Sequence, residues 1–173
     1  MEIRQARNDE YRQVLDFYYD LIDAMRDHEY SPGWEKKIYP MDEDIQKAIE
    51  AEELYIGLVN NDIAGAMVLN QKSADGYDKV QWKIHAKDDE VMMIHLLGIS
   101  FNHQQKGMAK QMVNKAIELA QKQSLKCIRL DVMENNLSAQ KLYPACGFKY
   151  IETMKLFYED TGLINFLMYE LEL

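Results

Sequence analysis

The feature that most constrains the fold is an apolar stretch, a glycine turn, an amphipathic helix and a second apolar stretch in succession. Val91–Ile99 is nearly unbroken in its apolar residues, as expected for a central strand buried on both faces. In the helix after Gly107 the apolar residues fall on one face. A strand at 126–132 follows, and a single crossover helix joins two parallel strands. The sequence therefore predicts one parallel pair.

Period-two and helical patterns predict elements on both sides of this unit. Strands are expected at 1–6, Leu54–Val59, 63–69, 79–84, 148–156 and 164–173, and helices at 9–26, 42–52 and 138–145. Asp42 is the expected N-cap of the second helix. Hairpins such as the one at 60–62 imply antiparallel pairing, so we expect an α+β fold with a mixed sheet. The last strand either completes the sheet or pairs with a second subunit.

Composition narrows the class of protein. The 173 residues suit a single domain over 1–173, and the formal charge of −9 argues against binding to nucleic acid. An acidic surface suits either a cationic substrate or plain solubility. The longest apolar stretch is too short to span a membrane, and no signal peptide is visible. The two cysteines and four histidines lack metal-ligand spacing, so we expect a cytoplasmic protein without a metal.

The turn at 104–109 is a candidate phosphate site. It stands directly before the amphipathic helix, where backbone amides converge without partners inside the helix. Those amides and the helix dipole favour an anion, and Gly107 permits a positive φ or a close approach of ligand to backbone. A single glycine in such a turn is a weak signal without further motifs.

Two motifs resemble those of the GNAT-superfamily N-acetyltransferases. Residues 104–109, Gln-Gln-Lys-Gly-Met-Ala, fit the signature [Arg/Gln]-x-x-Gly-x-[Gly/Ala]. Downstream, the run from Asn136 through Tyr143 to Gly147-Phe148 resembles the second signature, Asn-x-x-Ala-x-x-x-Tyr followed by Gly-Phe. The resemblance covers about residues 90–150. It implies a mostly antiparallel sheet of about seven strands with a splayed parallel pair, flanked by about four helices.

The resemblance also implies acetyl-CoA as cosubstrate. The amides of the turn would hold the pyrophosphate, with Lys106 either adding charge or remaining solvated. The end of the first parallel strand would bind the pantetheine arm through its backbone, with a bulge expected near Gly98. Asn136 would contact the cofactor or cap a helix. The predicted cofactor-binding residues are Leu97, Gly98, Ile99, Gln104, Gln105, Lys106, Gly107, Met108, Ala109 and Asn136.

Tyr143 and His95 are the predicted catalytic residues. Tyr143 matches the family's tyrosine near the thioester sulfur. A phenol is a weaker acid than a thiol, so we expect it to donate a hydrogen bond to the developing thiolate. Deprotonating an alkylammonium at pH 7 costs about 4–5 kcal/mol. His95 stands where many relatives have a carboxylate and could accept this proton directly or through water, or else be a packed histidine.

The reaction implied is direct transfer of an acetyl group to a primary amine, with no covalent enzyme intermediate. The acceptor, a small molecule or a peptide, would be recognised by the first two helices and by the 70–90 connection. Further candidates are Tyr30, Trp34 and Tyr39, and the acidic residues Asp27, Glu29, Glu35 and Asp42. Relatives often form homodimers, which implies one here. The main alternative is a non-catalytic acyl-CoA-binding domain. A nucleotide-binding protein is disfavoured because its glycine motifs are absent at 104–109.

Overall fold

A seven-stranded sheet organises the computed structural model, which describes residues 1–26, 28 and 33–173. The strands are β1 Glu2–Gln5, β2 Leu54–Val59, β3 Asp62–Asn70, β4 Val91–Ile99, β5 Cys127–Met133, β6 Lys149–Tyr158 and β7 Gly162–Glu172. The helices of the described residues are α1 Tyr11–Met25, α2 Asp42–Glu50, α3 Met108–Lys122 and α4 Leu137–Ala145. The sheet order is β1-β2-β3-β4-β5-β7-β6.

One parallel pair stands among antiparallel ones, so the predicted mixed sheet is confirmed. β4 and β5 are parallel, and each other neighbouring pair is antiparallel. Asn60 and Asn61 both adopt positive φ in the β2–β3 turn, the conformation that a two-residue hairpin turn requires. Met41 precedes the first turn of α2 as its N-cap, so the prediction that Asp42 caps this helix was wrong.

The predicted strand at 79–84 was also wrong. Its backbone amides are bound by carboxylates rather than by a neighbouring strand: Lys83 and Ile84 both donate to Glu170 Oε2 at 3.0 Å. Arg129 forms an ion pair with Glu170 at 3.0 Å and donates to the Ile84 carbonyl at 2.7 Å. This segment therefore lies over β5 and β7 without adding a strand.

The C-terminal strand completes the sheet. β7 pairs with β5 on one side and with β6 on the other, so both of its edges are used within the chain. The edges of the sheet are β1 and β6. Of the two expectations for this strand, the structure selects the intramolecular one.

Helices cover both faces of the sheet and enclose the core. On one face α3 buries Met112, Val113 and Ala116 in a cluster that also includes Tyr143. On the other, α1 and α2 bury Tyr18 and Ile45. No described helix combines the length and the hydropathy of a membrane span.

The parallel pair separates toward its carboxyl end. β4 and β5 are in register only from Val91–Cys127 to Met93–Arg129. Beyond these pairs the two strands diverge, which leaves one edge of each without a neighbouring strand. The splay predicted by the family resemblance is present, and it determines where a ligand can enter the sheet.

Candidate active site

The gap between β4 and β5 opens into a cavity of about 320 Å³. The wall on the α4 side includes Leu97, Asn136, Ala139 and Tyr143, and His95 lies on the same lining. The rest of the lining is largely aromatic and acidic, with Trp34, Tyr39, Tyr77, Asp131, Tyr158, Asp160 and Thr161. The structure thus brings four predicted site residues (His95, Leu97, Asn136 and Tyr143) to one cavity.

A β-bulge in β4 shapes the edge that faces the gap. Val68 pairs with His95 and Ala66 with Gly98, so two residues of β4 lie opposite one of β3. Leu96 adopts a positive φ of 52°, which is unfavourable for a branched side chain. The Tyr18 hydroxyl, on α1, donates to the Leu96 carbonyl at 2.9 Å. This buried bond satisfies a carbonyl that the bulge turns away from the sheet.

Gly98 has a role different from the expected one, because the bulge lies at Leu96 and Leu97. A Cβ added to Gly98 would lie 2.7 Å from Leu21 Cδ2 on α1. Glycine here lets α1 pack directly against β4. With its neighbour Ile99, Gly98 lies at the end of β4, outside the cavity lining.

The turn at 104–109 presents a run of unpaired backbone amides. Gly107 has a φ of +73° and caps α3 from the left-handed region. Among the described residues no acceptor binds the amides of Gln105, Lys106, Gly107, Met108 and Ala109. Such a convergence of donors at a helix N-terminus suits a phosphate group. These residues do not line the cavity itself.

Two predicted residues of the turn are already engaged within the protein. The Gln104 amide donates to the Phe101 carbonyl at 3.4 Å, and its side chain donates to the Ile99 carbonyl at 3.2 Å. The latter bond ties the turn to the end of β4. The Lys106 ammonium donates to the Asn102 carbonyl at 2.9 Å and is exposed.

Tyr143 points its buried ring into the core and faces the cavity. The residue is 6% exposed, and its ring packs edge-on against Phe148 at 5.4 Å. No described residue forms a hydrogen bond with its hydroxyl. Burial, helped by the negative charge of Asp131, raises the pKa of Tyr143 above its usual range. The phenol therefore stays protonated and can donate a hydrogen bond into the cavity.

Asn136 caps α4. Its Oδ1 accepts a hydrogen bond from the Ala139 amide at 3.0 Å, which is the capping role that the sequence left open. The side chain also lines the cavity. Its contact with a cofactor stays a prediction.

His95 is oriented by two acceptors. Its Nε2 lies 3.1 Å from Asn70 Oδ1 and 3.0 Å from the Lys72 carbonyl. Because both partners accept, Nε2 carries the proton, which leaves the Nδ1 lone pair available in the neutral ring. Burial lowers the pKa of His95 below its usual value, partly offset by the charge of Asp131. His95 is thus a neutral imidazole at pH 7.

Asp131 is a functional candidate that the sequence reasoning missed. Its Oδ2 accepts hydrogen bonds from the hydroxyls of Tyr158 at 2.6 Å and Tyr77 at 3.0 Å. No described residue donates to Oδ1. Burial raises its pKa, although both tyrosines lower it in part. The available signal was a lone carboxylate within the apolar run of the second parallel strand.

Only some of the segments predicted to bind the acceptor line the cavity. Trp34, Tyr39 and the 72–77 part of the connection line it, whereas α1 and α2 contribute none of its described lining. Asp42 instead accepts a hydrogen bond from the Tyr19 hydroxyl. Asp27, Glu29 and Tyr30 lie outside the described residues.

Neither thiol belongs to the cavity lining in the described part of the chain. Cys127 is buried in the sheet, and burial raises the pKa of its thiol to about 11. Burial also raises the pKa of Cys146. Among the described residues, His, Cys, Asp and Glu side chains form no group of three that could hold a metal ion.

The sequence matches one family model, and many solved structures share its fold. The sequence model of the acetyltransferase (GNAT) family matches residues 15–148. No curated protein matches the chain.

Solved structures share the fold over nearly the whole chain. A GNAT-family acetyltransferase from Streptococcus agalactiae is 20% identical, with a TM-score of 0.83 over 99% of this chain and 95% of its own. A candidate acetyltransferase from Salmonella typhimurium, solved with its cofactor acetyl-CoA, is 14% identical, with a TM-score of 0.73 over 99% and 93%. A ribosomal-protein-alanine N-acetyltransferase from Brucella melitensis is 14% identical, with a TM-score of 0.74 over 100% of both chains. At these identities the similarity shows the fold alone.

Proposed function

The chain belongs to the acetyltransferase (GNAT) family, and from this premise we propose that it transfers an acetyl group from acetyl-CoA to a primary amine. The observation that carries the proposal is the meeting of Tyr143, His95 and the β4 bulge at one cavity in the splayed sheet. The structure that shares this fold and was solved with acetyl-CoA supports the choice of cosubstrate.

The chain offers two parts suited to acetyl-CoA. The unpaired amides from Gln105 to Ala109 would bind the pyrophosphate at the positive end of α3. The edge of β4 after Met93 has no strand beside it, so its backbone around Leu97 would hydrogen-bond the pantetheine arm. Contacts of Lys106 and Asn136 with acetyl-CoA also remain proposals: Lys106 belongs to the turn before α3, and Asn136 lines the cavity.

His95 would remove the proton from the acceptor amine. Its neutral ring presents Nδ1 as an acceptor, and Asn70 and Lys72 hold the opposite nitrogen in place. Proton transfer occurs directly or through one water, depending on how deeply the amine enters the cavity. The neutral amine then attacks the thioester carbonyl.

Tyr143 would stabilise the leaving thiolate. Its hydroxyl has no partner in the described part of the chain, faces the cavity and stays protonated, so it would donate a hydrogen bond to the sulfur as the carbon–sulfur bond breaks. Direct transfer without an acyl-enzyme stays a prediction. The strands at both ends of the chain join one sheet, which supports a single domain over 1–173. A homodimer and a cytoplasmic location stay predictions.

The proposal is tested by measuring acetyl-CoA binding and then CoA release with a panel of primary amines. We expect saturable acetyl-CoA binding by calorimetry, and CoA thiol release that depends on the amine. Failure to bind acetyl-CoA would overturn the proposal. Binding without acetylation of any amine would instead identify an acyl-CoA-binding domain.

A further inference from the structure

The cavity carries negative charge that the protein does not neutralise. Asp131 and Asp160 line it, and neither forms an ion pair with a described residue. The charged amine of the lining, Lys72, is held by both carboxylate oxygens of Glu53 at 2.9 and 3.1 Å. His95 is neutral. The cavity therefore lacks an uncommitted cation among its described residues.

Asp131 has a free hydrogen-bonding position in the cavity. Both tyrosine hydroxyls bind the same oxygen, Oδ2, so Oδ1 is left without a described partner. Asp131 is half-buried, and a carboxylate in this state is stabilised by a cation or by further donors. An ammonium group supplies both.

Thr161 gives an independent sign that the pocket is built for a polar ligand. Thr161 lines the same cavity, and its buried Oγ1 has no hydrogen-bond partner among the described residues. A buried hydroxyl without a partner costs about 1–3 kcal/mol, which a ligand hydrogen bond would recover. Trp34, Tyr39 and Tyr77 supply aromatic walls beside it. Aromatic faces attract ammonium groups.

We propose that Asp131 anchors the ammonium of the acceptor, and that the acceptor is a small primary amine that carries no carboxylate group. Alkylamines, arylalkylamines and diamines fit this description. Free amino acids do not, because their carboxylate would meet Asp131 and Asp160 without a cation to pair with. This inference rests on the proposed acetyl transfer and specifies its second substrate.

Two pairs of ligands that differ by one carboxylate test the substrate class without any mutation. The pairs are 2-phenylethylamine with L-phenylalanine, and 1,5-diaminopentane with L-lysine. Binding is measured by calorimetry with the protein alone and with the protein saturated with CoA, so that no transfer occurs. We expect each amine to bind about tenfold or more tightly than its amino acid, because Asp131 and Asp160 would repel the carboxylate of the amino acid. Equal binding, or tighter binding of the amino acids, would overturn the proposal.

A matched pair of variants tests the role of Asp131. Asp131→Asn keeps the shape of the side chain and removes its charge, whereas Asp88→Asn removes a charge from an exposed turn outside the cavity. We expect Asp131→Asn to weaken amine binding by about tenfold or more, and Asp88→Asn to leave it unchanged. Unaltered amine binding in Asp131→Asn would contradict the assignment.

The affinity for acetyl-CoA separates this inference from the proposed function. Retained acetyl-CoA binding in Asp131→Asn shows that the variant is folded, so that its amine binding reports on the carboxylate. If the natural protein failed to bind acetyl-CoA, the acetyl-transfer proposal would fall. The amine measurements on the protein alone would still decide the nature of the pocket.

Discussion

Single side chains at this site are arranged so that their protonation states suit the proposed chemistry. The Tyr143 hydroxyl is held as a donor and the His95 ring as an acceptor, in both cases chiefly because burial disfavours the charged form. The negative charge of Asp131 favours the protonated form of both groups: it raises the pKa of Tyr143 and partly offsets the lowering of the His95 pKa. One cavity thus contains a proton donor and a proton acceptor at pH 7.

Replacing Tyr143 with Phe should lower kcat and leave the acetyl-CoA affinity nearly unchanged. The change removes one hydroxyl and keeps the ring contacts with Phe148 and Tyr169. Loss of one hydrogen bond to a developing anion costs about 10²–10³ in kcat. Steady-state kinetics and calorimetry with acetyl-CoA measure the two quantities. An unchanged kcat would remove Tyr143 from catalysis.

The decrease of kcat/KM at low pH should reflect protonation of His95. Protonated imidazole cannot accept a proton, and burial lowers the pKa of His95 below its usual 6.5. We therefore expect kcat/KM to stay level as pH falls to about 6.5 and to decrease only below it.

His95→Gln supplies the control for that profile. Glutamine can still donate to Asn70 or Lys72 but does not titrate, so we expect kcat to decrease by about 10²-fold or more and the acid limb to disappear. Persistence of the same limb in this variant would assign it to another group, with Asp131 the nearest candidate.

At the scale of elements, the two ends of the proposed acetyl-CoA site depend on backbone conformations that the chain must stabilise. The bulge at Leu96 is supported from α1 by the Tyr18 hydrogen bond. The turn before α3 depends on a positive φ at Gly107 and is tied to β4 through the Gln104 side chain. Helix α1, on one face of the sheet, therefore supports the edge of β4 at which we propose that the pantetheine arm binds.

Gly107→Ala should weaken acetyl-CoA binding, with Gly162→Ala as a matched control. Both glycines have positive φ, +73° and +70°, and a Cβ at either would meet nothing within 4 Å. Each substitution should cost about 1–2 kcal/mol of stability, because an alanine is strained in the left-handed region. Only Gly107 lies at the proposed pyrophosphate site.

Thermal unfolding and acetyl-CoA calorimetry separate the two effects. We expect similar decreases in the free energy of unfolding for both variants and a loss of affinity for Gly107→Ala alone. Equal acetyl-CoA affinities would place the pyrophosphate elsewhere.

At the scale of the whole molecule, the cavity is assembled from segments far apart in the chain. Trp34, Tyr77, His95, Asp131 and Thr161 come from five separate segments. The segment from Tyr77 to Ile84 is fixed by the pair of Arg129 and Glu170, which are 9% and 3% exposed. The stacking of Arg129 on Trp82, 4.6 Å from the ring centre, adds to this connection.

Arg129→Met should therefore destabilise the protein by about 3–5 kcal/mol, because it leaves Glu170 buried without its cation. Lys122→Met is the control, since Lys122 forms an exposed pair with Glu118 that should contribute little to stability. Chemical denaturation gives both values. Similar losses in the two variants would show that the buried pair contributes no more than a surface pair.

Much of the architecture could be predicted from local patterns. Amphipathic spacing located the helices, and the crossover at 91–132 specified the parallel pair, because periodicity and chain connectivity are properties of neighbouring residues. The two sequence motifs were sufficient to identify the family. The strand expected at 79–84 failed because its amides bind Glu170, which is more than 80 residues away in the chain. No local pattern contains that contact.

The sequence by itself determined the family, the helices, the parallel pair and the turn with unpaired amides, since each depends on residues close together in the chain. Only the tertiary structure decided which side chains share the cavity, because Asp131, Tyr77 and Tyr158 meet through sheet pairing and loop packing. It also decided the state of each group, since the pKa values of His95 and Tyr143 depend on burial among distant neighbours. The proposed acetyl-CoA site could be predicted from local sequence, whereas the proposed acceptor site required the fold.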